Sequence, residues 1–153
     1  MRVSTEFAST VSFTGLEALH RLLAYRNVSV LRRYKEDSGV SDERAEVDWT
    51  AFLQFMAVCM FQSERVTATP AADGVWHAFL LHTKQYAAFC EEFLGGFVHH
   101  DPTSDEGSPE DYQRSRGHAQ TMFGNLDERG WPNILGRIKC FSARGPEDIR
   151  RFS

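Results

Sequence analysis

The sequence predicts an all-α protein, a compact single-domain helical bundle of five or six helices. Three observations predict it. Apolar residues recur at helical spacing along most of the chain. Strong helix start and stop signals punctuate it. No two alternating apolar runs are joined by a tight turn, so nothing signals a hairpin. With 153 residues, 42% hydrophobic and 25% charged, the chain has the length and composition of one folded domain rather than of a disordered segment. Residues 1–153 are therefore read as one unit, with the polar stretch 142–153 as a tail prone to fray.

The first helix is expected in "TGLEALHRLLAY", where Thr14 and Glu17 have capping-box spacing and Leu16, Leu19, Leu22 and Leu23 supply the apolar face. "RNVSVLRRYKED" continues it or starts a second, with Val28, Leu31 and Tyr34 in step, and Ser38-Gly39 ends it. The next begins at a Ser41-Asp42 cap, with acids in its first turn where the helix dipole favours them. From Trp49 to Phe61 it is apolar on nearly every face, which marks the central helix of a bundle and makes Cys59 a buried thiol. "VTATPAA" is a connector. A further helical stretch runs from Asp73 to Gly95, the glycine serving as its stop. "FVHHDPTSDEG" reads as an extended piece and an acidic loop. Ser108, Pro109, Glu110 and Asp111 then open the best-marked helix, which closes at Gly124. Trp131-Pro132 is expected to cap the core, and His20 and His118 to lie on the surface.

Several function classes are disfavoured by bulk properties. The net charge of −4 is spread along the chain, whereas phosphate neutralisation needs clustered Lys and Arg, so no nucleic acid partner is expected. No run approaches the roughly 20 apolar residues that span a bilayer, and "MRVSTEFASTVSF" has no signal-peptide core. No membrane association is expected, and the reading is a soluble, cytoplasmic protein. Cys59, Cys90 and Cys140 are odd in number, far apart and without a CxxC pair.

One stretch, "DGVWHAFLLHTKQYAAFC", gathers groups capable of chemistry. On a straight helix Trp76, Phe79, Leu80, Thr83, Tyr86, Cys90 and Phe93 form one core stripe, and His77 and His82 stand about 140° apart. A break at Thr83, acting as a new cap, would turn His77, His82 and Cys90 toward a common point. His100, or its neighbour His99, arriving from the turn after Gly95-Gly96, would complete a four-donor set suited to zinc. Asp73 would accept a ring N–H of His77 from behind. The spacing matches no zinc-finger pattern and is not HExxH.

"VWHAFLLHTKQYAAFC", "GGFVHHDP" and "MFG" before "WP" together resemble the glycine-rich domain-containing protein-like family, in the form without the glycine-rich tail. The matching positions are Asp73, Trp76, His77, Tyr86, Cys90, Gly95 and His100. The second histidine of plant relatives is replaced by Phe79, with His82 three residues on. The resemblance implies a helical domain with a polar cluster at Trp76-His77, and no reaction.

Three readings follow. The first is a zinc or other transition-metal site made by His77, His82, Cys90 and His100, with Asp73, Tyr86 and Trp76 behind them. The second is a protein-interaction or accessory domain without metal or catalysis, its partner a protein. The third is an enzyme using Cys90 as nucleophile and His77 or His100 as base, which requires an accessible thiolate.

Overall fold

A computed structural model describes residues 1–101, 108–133 and 142–144, the last three and Asp101 through their backbone alone. Among the described residues seven helices fold round one core: α1 (Thr5–Thr10), α2 (Phe13–Leu23), α3 (Val28–Ser38), α4 (Asp42–Phe61), α5 (Pro70–Leu80), α6 (Thr83–Phe89) and α7 (Pro109–Phe123). A single π turn, Cys90–Leu94, extends α6. The mostly helical class is as expected; the helix count is higher.

Two causes raise it. The N-terminal α1, for which no helix was expected, is capped by Ser4 and lays Phe7 edge-on against Phe61 of α4, with ring centres 5.3 Å apart. The stretch from Asp73 to Gly95 is also two helices, because α5 ends at Leu80 and α6 begins at Thr83. The start of α2 differs too. Ser12, not Thr14, is the cap, its hydroxyl accepting from the Gly15 N–H at 3.1 Å.

Helix α4 is the axis. Ala51 through Met60 are all buried, and α2, α3, α5 and α7 pack around it. An all-round apolar surface is stable only where neighbours cover every side, which is the position its sequence selects. Helices α3 and α5 touch closely because Gly74 has no side chain: a Cβ there would lie 3.0 Å from the Tyr34 ring. Gly39 and Gly95 terminate α3 and the π turn at φ 68° and 72°, the left-handed region that glycine enters without steric penalty. Helix α7 starts with the Ser108–Asp111 capping box and Pro109 in its first turn. Trp131 closes the core, fully buried, with its indole N–H donating to Gln54 Oε1 at 2.9 Å.

The strands were not anticipated beyond an extended piece near His99. Val66–Thr67 (β1), His99–Asp101 (β2) and Ser142–Arg144 (β3) form a small antiparallel sheet in the order β1-β3-β2. Ala143 lies opposite Val66 on one side and His100 on the other. Residues 142–144, assigned above to a frayed tail, therefore make its middle strand; 145–153 lie outside the described residues. No helix among the described residues is long and apolar enough to cross a membrane.

Candidate metal centre

Two segments build the cluster. Helix α5 carries Asp73 and His77 one turn apart, so both side chains leave the same face. Its start is secured by the Thr69 hydroxyl, which accepts from Ala72 N–H at 3.0 Å, and by Pro70 in the first turn. Strand β2 brings His100 across from the sheet. Because alternate strand residues face opposite sides, His100 turns inward with buried Val98 while His99 stays exposed.

The three polar ends converge. His100 Nε2 is 2.8 Å from Asp73 Oδ1 and 3.0 Å from His77 Nε2, and His77 Nε2 is 3.5 Å from the same carboxylate oxygen. Among the described residues this is the group of His, Cys, Asp and Glu side chains close enough to share an ion. Two imidazole nitrogens 3.0 Å apart need a proton between them or a cation bound by both from one side, since two lone pairs repel. Asp73 and His100 are nearly covered, with side chains 10% and 5% exposed, but His77 is 52% exposed. The cluster is anchored on its inner side and open to water on its outer one.

A hydrogen-bonded aromatic wall backs it. The Trp76 ring meets the His100 ring edge-on, centres 4.4 Å apart. Its indole N–H donates to the Tyr86 oxygen at 2.9 Å, and the Tyr86 hydroxyl donates to the Val98 carbonyl at 2.5 Å. All three residues are buried.

The structure does not gather the four donors proposed from sequence. The break before Thr83 exists, but His82 takes the cap position and turns its Nδ1 back to the Ala78 carbonyl at 3.0 Å. A kink there therefore satisfies a local backbone group instead of aiming His82 at His77. Cys90 lies on the core stripe, fully buried and outside the cluster. Burial pushes its thiol pKa up, and contacts with the Val98 backbone and Tyr86 pull it only partway back. Burial raises Cys59 as well. Neither is the exposed thiolate that nucleophilic catalysis requires. Asp73 is the member that sequence reasoning undervalued: it was placed behind His77, and its carboxylate stands level with both rings. The signal was present in the one-turn spacing of Asp73 and His77.

Comparison with known proteins adds a family. The model of the UCP032817-like family matches residues 21–121, well over half of the chain. The chain belongs to the UCP032817-like family. The matched span holds the whole cluster, with Trp76, Tyr86 and Cys90, and leaves α1 and β3 outside it. The family's description names no activity and does not speak to the glycine-rich relatives expected above. No curated protein and no solved structure matches the chain.

Proposed function

We propose that this chain binds one divalent transition metal, zinc foremost, through Asp73, His77 and His100, with the remaining positions open to water or a small ligand. The observation that carries the reading is the triangle of ligand atoms. Three donors bound to a tetrahedral ion at about 2.0–2.1 Å stand roughly 3.3 Å from one another. The three atoms here are 2.8, 3.0 and 3.5 Å apart, so modest side-chain adjustment admits an ion at their centre. Two imidazoles and one carboxylate suit zinc or iron(II), and such sets with open positions serve as Lewis acids or oxygen-activating centres. The half-exposed face at His77 is where an added ligand would enter.

Metal analysis tests it. After stripping and re-loading with zinc, the wild type is expected to hold about one ion per chain, since three protein ligands define one site. Asp73→Ala, His77→Ala and His100→Ala are expected to lose that stoichiometry; His82→Ala and Cys90→Ser are expected to keep it. Sub-stoichiometric zinc in the wild type, unchanged by His77→Ala, would leave a hydrogen-bonded Asp–His–His chain in place of a metal centre and return the accessory-domain reading to the front.

A further inference from the structure

We infer that Tyr86 is a positioning residue of this centre: its hydroxyl is the joint that sets His100 against Asp73 and His77. The inference rests on the metal reading and goes beyond it by assigning the device that fixes the ligands' relative placement.

The centre draws its ligands from two separate segments, so its geometry is only as firm as the link between α5 and β2. Asp73 and His77 are held by their own helix. His100 has no such frame, since β2 is three residues long and pairs with one strand, β3. Beside its contacts with Asp73 and Trp76, its backbone is tied to the helical core through the Tyr86 oxygen. It accepts the Trp76 indole N–H at 2.9 Å, one residue before His77, and donates to the Val98 carbonyl at 2.5 Å, two residues before His100. One oxygen thus bridges the neighbours of two ligands. Both bonds are buried, so water cannot replace them and each partner left alone would carry a desolvation penalty.

The surroundings fit that role. Phe79, Phe89 and Phe97 pack round the Tyr86 ring at 5.3, 6.4 and 5.1 Å, so the ring is fixed whether or not the hydroxyl is present. Cys90, four residues on, is fully buried in the same core. Val98 and His100 lie two apart on an extended segment and share a face, so a displacement of one carries the other. Groups hydrogen-bonded directly to metal ligands typically change affinity about 10–100-fold when removed, and Tyr86 stands one step behind them, which sets the low end of that range as its expected effect.

Tyr86→Phe is the test, with Tyr112→Phe as its control. Tyr112 is also buried and also donates to a backbone carbonyl, that of Pro132 at 2.7 Å, but it sits on α7. Cobalt(II) is titrated into each protein, followed by its visible ligand-field spectrum. Tyr86→Phe is expected to weaken cobalt binding by up to about 10-fold and to alter the band shape, while Tyr112→Phe matches the wild type. In metal-free protein, the His100 imidazole nitrogen resonances are expected to shift in Tyr86→Phe and not in Tyr112→Phe. Wild-type affinity, spectrum and His100 resonances in Tyr86→Phe overturn the inference while leaving the metal reading intact; so does equal loosening by Tyr112→Phe, the mark of general destabilisation. Failure of the wild type to bind cobalt overturns both. Should Tyr86→Phe fail to fold, hydrogen exchange of the Trp76 indole N–H in the wild type decides: protection that rises when zinc is added supports the joint, and protection that zinc leaves unchanged sinks it.

Discussion

At the scale of single residues, burial decides which polar groups are available for chemistry. Asp48 on α4 is 1% exposed, yet its carboxylate accepts from the Tyr34 hydroxyl at 2.6 Å and from Arg44 Nε at 2.8 Å. Burial, with Asp48 next, pushes the Tyr34 hydroxyl pKa up, so the phenol keeps its proton. Asp48→Ala leaves a buried phenol and a cation without their acceptor and is expected to cost about 3 kcal/mol in urea unfolding; Tyr34→Phe is expected to cost about half that. The thiols obey the same rule. In a Cys140→Ser background, a thiol reagent at neutral pH is expected to label neither Cys59 nor Cys90 until denaturant is added, because both are fully covered and burial holds their protons on. Prompt labelling of Cys90 in the folded state would reopen the nucleophile reading. The stripe on which Cys90 falls was visible in the sequence, and it is the reason the thiol faces core instead of the histidines.

At the scale of elements, several starts and stops were legible where a local side chain carries them, although the Ser4 cap of α1 was passed over and Thr14 was taken for the Ser12 cap of α2. Ser41, Ser108, Pro109, Gly39 and Gly95 all act through neighbours within four residues, so their spacing is a physical statement in itself. Helix α1 has only six residues, and the Phe7–Phe61 contact that packs it against α4 joins residues far apart in sequence. Strands of two or three residues are too short to show alternation, and they form by pairing with a segment far away in sequence. The α7 cap offers a quantitative check. Ser108 Oγ accepts from the Asp111 N–H at 3.0 Å and Asp111 Oδ2 accepts from the Ser108 N–H at 3.3 Å. Burial would raise the Asp111 pKa, but its hydrogen bonds from Ser108 and its pairing with Arg114 outweigh burial and hold it below the ordinary value. A depressed carboxylate stabilises the fold above its unfolded pKa, and that contribution is lost as pH falls through the folded one. Ser108→Ala is therefore expected to cost about 1 kcal/mol near neutrality and to flatten the loss of stability on acidification, read from urea midpoints across the acid range. An unchanged acid slope in that variant would show that the Ser108 backbone N–H and Arg114 hold Asp111 down without the hydroxyl.

At the scale of the molecule, the bundle supplies a rigid helix face and the small sheet supplies a second surface, and the candidate centre lies where they meet. That meeting explains what sequence could and could not show. The pairing of Asp73 with His77 follows from helical spacing, and His100 was reachable as the arm returning after Gly95-Gly96. The exclusion of His82 and Cys90 depends on where α6 and its π turn lie in space, which no periodicity encodes. An ion held as proposed would join helix to sheet, with a thermodynamic consequence for the whole fold. An ion that binds the native chain and not the unfolded one raises the unfolding free energy by RT ln(1 + [L]/Kd), about 2.7 kcal/mol when free ion is a hundredfold above Kd. Zinc is thus expected to raise the thermal midpoint of the stripped protein in a concentration-dependent way, and chelator is expected to reverse it. His77→Ala gives the sharpest comparison, because its side chain is half exposed and its loss removes a ligand with little cost to the core. In that variant the midpoint without metal is expected to stay near that of the wild type and the response to zinc to vanish. A wild-type midpoint that zinc leaves unmoved would mean that the folded chain holds no zinc in preference to the unfolded one, and one that rises equally in His77→Ala would mean that His77 is not a ligand.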